Sequence, residues 1–190
     1  MRNSFLLLAF TLSTLSLFSQ NKYEREQRIN FSELPENCQT IINAFSIPSK
    51  IKCYKETQLN GFSYEIKTKV SKQRVSIEFS EKCELEDVEI TVDFNSLNEF
   101  TKKTINAYLD DNFEKTSILK TQVQLVCSNE EIKQFIKTGI YSDKCLNGFE
   151  LIVKAKNNEG EFLYELFFDK DGNLQRKEQI ITKNTSNLEF

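Results

Sequence analysis

From Ser32 onward, apolar side chains recur at Leu34, Cys38, Ile41, Ile42 and Phe45, the three-and-four spacing of a helix with one buried stripe. Ser32 is the expected N-cap, and Pro48 stops the helix. The period then changes to two. Residues 51–58 form the first strand candidate, and Leu59-Asn60-Gly61 turns the chain into Phe62, Tyr64 and Ile66, with Ser63, Glu65 and Lys67 between them. Val75, Ile77 and Phe79 alternate with Ser76 and Glu78, and Val88, Ile90, Val92 and Phe94 alternate with Glu89, Thr91 and Asp93. Each run presents one dry face and one wet face, as expected of an antiparallel sheet covered on one side.

The same order of elements then returns. Ser96 followed by Glu99 reads as a capping box, and Leu97, Phe100, Thr104, Ile105, Tyr108 and Leu109 make the next helical stripe. Strand candidates follow at 118–127, 149–155, 162–168 and 174–181, with hairpin turns at Asn158-Glu159-Gly160 and Asp171-Gly172-Asn173. Repeat one spans 31–94, and repeat two spans 95–183 with an insertion at 128–147 that carries a short polar helix. One helix cannot cover four strands, so neither unit buries its sheet alone. The expected fold is α+β: two tandem helix-plus-four-strand repeats joined edge to edge as one antiparallel sheet of about eight strands, with the helices on one face.

Residues 1–20 place Arg2 ahead of an apolar run from Phe5 to Phe18, then small Ser19 before polar Gln20, the layout of a cleaved secretory signal peptide. Residues 21–30 are expected to be a flexible N-terminal segment and 184–190 a tail. After cleavage nothing remains to hold the chain in a membrane, and a periplasmic or secreted protein is expected. The 25 Lys+Arg against 28 Asp+Glu leave no basic excess for nucleic acid. With no His in the chain, catalytic triads, Cys/His dyads and His-ligated metals are excluded.

Five cysteines, Cys38, Cys53, Cys83, Cys127 and Cys145, lack any CxxC pair, so disulfides are the expected use in an exported chain. Cys127 and Cys145 bracket the insertion and make the best pair. A second bridge would join Cys38 to Cys53, with Cys83 able to replace either, unless these three are simply small buried side chains.

Glu33-Leu34-Pro35 at the first helix, the turn into Phe62-Ser63-Tyr64-Glu65-Ile66, and the closing run from Tyr164 to Leu174 resemble the secreted PepSY-like proteins, grouped by fold with the beta-lactamase inhibitory protein. The resemblance covers residues 31–181 and implies an exported protein whose sheet is covered by helices on one side and open on the other. Ser80-Glu81-Lys82-Cys83 replaces the usual Asp-x-Asp-Gly turn of the first unit.

The residues themselves point to binding rather than catalysis. On the face away from the helices, Tyr54, Ile152, Leu163 and Phe167 form a candidate contact patch for an unidentified periplasmic or extracellular protein or peptide. Asp169, Asp171 and Asn173 alternate as oxygen donors and are weak candidates for Ca²⁺, although the hairpin turn alone accounts for them. Glu84, Glu86, Asp87 and Glu89 read as a solvated sheet edge. No cofactor is expected. The function that follows is a non-enzymatic, inhibitor-like binding module, with a structural envelope protein or a Ca²⁺-dependent module as alternatives.

Overall fold

The structure is a computed structural model describing residues 20–22, 25–58 and 61–181. Of the segment expected to be a signal peptide, 1–20, all but Gln20 lies outside the described residues, as does the expected tail 184–190. Ten strands form one sheet: β1 (Gln20–Lys22), β2 (Arg25–Ile29), β3 (Lys52–Gln58), β4 (Gly61–Val70), β5 (Gln73–Phe79), β6 (Leu85–Val92), β7 (Lys115–Leu125), β8 (Leu146–Asn157), β9 (Gly160–Asp169) and β10 (Leu174–Ile180). Their spatial order is β1-β10-β9-β8-β7-β6-β5-β4-β3-β2. The eight central strands are those read from the alternation, and β6 meets β7 antiparallel where the two repeats join. All pairings from β2 to β10 are antiparallel, whereas β1 adds to β10 in parallel.

Three α-helices pack on the apolar side: α1 (Glu36–Phe45), α2 (Glu99–Asn112) and α3 (Asn129–Thr138). They bury Cys38, Ile42 and Phe45, then Ile105 and Leu109, then Ile132, Phe135 and Ile136. Under them lie the helix-facing strand residues, among them Ile66, Ile77, Ile90, Leu125, Leu151 and Phe168, each 0% exposed. Both helix starts differ from the expected ones. A short 3-10 turn at Phe31–Glu33 holds Ser32, and α1 begins only after Pro35, whose ring suits a helix entry. Likewise Ser96 closes a second 3-10 turn, and Asn98 caps α2 by accepting from the Thr101 N–H at 2.9 Å. The insertion helix α3 is amphipathic rather than merely polar, and Gly139 at φ 73° ends it.

Arg25–Ile29, in the segment expected to be flexible, pairs with β3 from Arg25↔Thr57 to Ile29↔Cys53. Its place has a geometric consequence. β1 lies on one edge of the ten-stranded order and β2 on the other, yet the chain passes from Lys22 to Arg25 in three peptide steps. Three trans steps span at most about 11 Å. The sheet therefore rolls until its outer strands approach, and the helices, each about 10 Å across, must lie outside a ring of this strand number. The face away from the helices is the inside of the roll.

Two disulfides pin the helical layer, and disulfides belong to oxidising surroundings. Cys127 bonds Cys145 at a Cα separation of 5.1 Å. The expected Cys38–Cys53 pairing is corrected: Cys38 bonds Cys83, also at 5.1 Å between Cα atoms. Cys83 sits at φ 63° in the tight β5–β6 turn, which Asn37 of α1 reaches through its hydrogen bond to the Lys82 carbonyl at 2.8 Å. Cys53 is left as a buried free thiol. Among the described residues, no helix is long and apolar enough to cross a membrane.

Titration of the denatured, unreduced protein is expected to find one thiol per chain; three would remove one of the bridges. Closing 45 residues, the Cys38–Cys83 bridge is worth about 4 kcal/mol in the chain-entropy picture. A Cys38→Ala/Cys83→Ala variant should lose stability of that order in urea denaturation.

Candidate functional site

Strand register sets a continuous polar layer on the inner face. Tyr54 stands beside Glu65, Glu65 beside Glu78, and Glu78 beside Asp87. Lys67, Ser76, Glu89 and Gln124 form the next row, and Gln122, Glu150, Phe167 and Arg176 another. Glu26 and Glu56 pair on β2 and β3, and Ile152, Glu165 and Glu178 line up on β8 to β10. The layer carries carboxylates from Glu26 on β2 to Glu178 on β10, with Glu161 paired to Lys154 near one end, and the same phase carries cations, among them Arg28, Lys52, Lys69, Arg74 and Lys120. The face is dry at its centre and wet at its ends, where Arg176 is 47% exposed. Glu65, Glu89 and Glu165 are only 5%, 6% and 3% exposed, and Gln122 2%. The inward roll explains how polar side chains come to be shielded opposite the helices.

Burying carboxylates demands partners, and two cations supply many of them. Lys67 of β4 holds Glu26 of the edge strand β2 and, at 3.1 Å, Glu65 on its own strand. Burial alone would lower the pKa of this ammonium, but Glu65 and Glu26 reverse the effect and hold it above its ordinary value. In the other half, Arg176 of β10 donates to Glu165 at 3.1 Å, pairs with Glu178 at 3.2 Å and Glu150 at 3.6 Å, and lies over the Phe167 ring at 5.6 Å. Each outer part of the roll thus has a cation gripping carboxylates from two or three strands, and in the second half Lys154 also pairs with Glu161.

The middle is held by neutral donors. Gln122 donates to Glu89, Gln124 to Asp87 at 3.1 Å, and Asn147 to Gln124 at 2.7 Å, while Ser76 donates to Glu65. Glu78 is pressed hardest. Burial, then the charges of Glu89, Asp87, Glu56 and Glu65, push its carboxyl well above the usual range.

Oxygens of Glu26, Glu56 and Glu65 lie within 4.8 Å of one another, as do those of Glu78, Asp87 and Glu89. Hard oxygens at this spacing suit a cation. In the first trio the Lys67 ammonium already supplies it. Cys127 and Cys145 also group with Glu131, but both sulfurs are spent in the disulfide.

The residues singled out from the sequence fall as follows. Tyr54, Ile152, Leu163 and Phe167 all belong to the inner phase of their strands. Ile152 faces Glu165, with Leu163 and Phe167 on either side of that carboxylate along β9, so these three adjoin. Tyr54 lies in the other half, with the Lys67 ammonium 4.8 Å from its ring centroid. The patch is half-buried in the roll, which corrects the expectation of an open sheet. Asp87 and Glu89 are likewise not at a solvated edge, because β6 is central and both point inward; Glu84 and Glu86 remain exposed. Asp169, Asp171 and Asn173 form a turn in which Asp169 accepts from the N–H groups of Asp171 and Asn173 and from the Asn173 and Gln175 side chains. Burial alone would raise its pKa, but these donors hold it below the ordinary value.

Neither a protein-family model nor a curated protein matches the chain. Among solved structures, the chain is similar to a DUF2874 family protein from Bacteroides ovatus, at 11% identity and a TM-score of 0.49, over 76% of this chain and 86% of that one. It is also similar to a BLIP-like protein from Bacteroides fragilis, at 13% identity and a TM-score of 0.48, over 80% and 92%. Likeness at this level leaves the inner face to be judged on its own residues.

A raised carboxyl pKa costs stability above the unfolded value and costs nothing below it. Glu78→Gln should therefore raise the melting temperature at pH 7, and the gain should fade as pH falls into the ordinary carboxyl range. A melting temperature unchanged or lowered at pH 7 would contradict the crowding of Glu78. A Cβ on Gly148 would stand 2.1 Å from the Phe168 carbonyl oxygen and 2.7 Å from the Phe167 ring. Gly148→Ala should accordingly cost about 1–3 kcal/mol in urea denaturation.

Proposed function

We propose that the chain is a non-enzymatic binding module of the periplasm or cell exterior, PepSY-like in kind, that takes up a cationic protein segment or peptide along the inner face of its rolled sheet. The observation that carries this reading is the carboxylate layer itself. Acids crowd the centre of the layer at Glu56, Glu65, Glu78, Asp87 and Glu89, and further acids around Arg176 adjoin Ile152, Leu163 and Phe167, so a guest with Lys or Arg beside an apolar side chain would find both complements.

The remaining chemistry favours binding over catalysis. The chain has no His, four cysteines are bridged, and burial pushes the Cys53 thiol above its ordinary pKa, away from nucleophilic character. Two disulfides suit an exported protein.

A fluorescent Lys/Arg-rich decapeptide is expected to bind the purified protein, with affinity falling as salt is raised, and an Asp/Glu-rich counterpart is expected not to bind. Crosslinking in the native cell should capture a partner through a basic segment, and Leu163→Asp and Phe167→Asp should each reduce its yield about tenfold. Equal yields from folded variants would refute the placement.

A further inference from the structure

We propose that the inner face takes a guest segment of two opposite charges, whose acidic side chain is held where β4 turns into β5, about four residues along from its basic side chain. This rests on the function proposed above and adds a second contact to it. On four neighbouring strands the inner-phase charges are sorted along the strand. β2 runs from Glu26 to Arg28, β3 from Lys52 through Tyr54 to Glu56, β4 from Glu65 to Lys67 and Lys69, and β5 from Arg74 to Glu78. The register sets Glu26 beside Glu56 and Glu65 beside Glu78, but Lys52 beside Lys67 and Lys69 beside Arg74. Acids therefore lie toward one end of this half and cations toward the other. Lys120 continues the basic end on β7, two residues beyond the Gln122 that stands beside Thr91. Four residues separate Arg74 from Glu78, roughly 13 Å of extended chain.

At the basic end the charges are unspent. The two-residue turn Ser71-Lys72, both at positive φ, sets Lys69 directly opposite Arg74. Like charges facing each other across strands are destabilising. Among the described residues no ion pair relieves this one, since Lys69, Lys72 and Arg74 are exposed and none is bridged to a carboxylate, whereas Lys67, Lys154 and Arg176 all are. Lys72, Arg74 and Thr91 line an open groove of about 480 Å³ beside the turn. Asp93, the acid in its lining, is turned to its own loop, where it accepts the Asn95 N–H at 2.9 Å. A carboxylate entering the groove would gain charge-assisted hydrogen bonds from Arg74 and Lys72 and offset the repulsion between Arg74 and Lys69.

The test uses the full chain and two fluorescent decapeptides with amidated ends, one of five Lys followed by five Glu, the other of five Lys followed by five Gln. Arg74→Glu turns the repelling pair with Lys69 into an attracting one, so its melting temperature should be no lower than that of the wild type. At low ionic strength this variant should bind the Lys/Glu peptide about fivefold more weakly, and the Lys/Gln peptide as tightly as the wild type or more so. Arg74→Lys should keep wild-type affinity for both peptides. Arg74→Gln should weaken the Lys/Glu complex in the same direction and covers the case in which the reversed charge disturbs folding. Undiminished Lys/Glu binding by the folded variants, with the Lys/Gln peptide still bound, would overturn the acidic contact and leave the proposed function standing. A wild type that binds neither peptide would remove both.

Discussion

Carboxylates can be shielded inside a sheet only where cations or strong donors meet them, and that requirement organises this molecule. Lys67 gathers Glu26 and Glu65, and Arg176 gathers Glu150, Glu165 and Glu178, so each half of the roll is tied by one charge on an inner strand position. Side chains from Gln122, Gln124 and Asn147 bridge the middle where the repeats meet. Removing either cation would leave buried acids to repel one another, while the apolar layer under the helices would stay intact. The two faces of the sheet thus play separate parts: the outer one supplies the apolar core, and the inner one holds a network of acids, cations and amides.

That network links fold to function. A polar layer serves stability poorly compared with packed aliphatic side chains, as buried ion pairs in general do. Its expense is easiest to understand if the charge meets something. Glu78, near Glu89, Asp87, Glu56 and Glu65, shows the crowding, because burial and these charges push its carboxyl above the usual range. Under the proposed function, a guest's cation near Glu78 would offset part of this crowding.

Much of the architecture was legible from period two. The eight central strands, both repeats and the bracketed insertion follow from alternation at positions such as Tyr64-Ile66, Ile77-Phe79 and Leu166-Phe168. β2 was not legible, because Arg25-Glu26-Gln27-Arg28 has no apolar phase and is a strand only by virtue of its partner β3. Cys83 could not be matched to Cys38 without knowing that α1 lies against the β5–β6 turn. The site was half visible. Tyr54, Ile152, Leu163 and Phe167 were assigned to the face they occupy, and the acids at Glu56, Glu65, Glu78 and Glu165 occupy the same phase. Alternation states which face a residue takes, not which way the sheet curves, so these acids read as solvated when the roll had enclosed them.

The distance between the two sides of the seam tests the roll most directly. Spin labels placed at Arg25 and Gln179 in a Cys53→Ala background report it by pulsed dipolar spectroscopy. The rolled sheet predicts a distribution centred below about 30 Å, since Lys22 is paired at β10 and tethered to Arg25 within about 11 Å. A flat sheet of ten strands would set its edges roughly 40 Å apart. A distribution centred there would contradict the enclosed carboxylate layer.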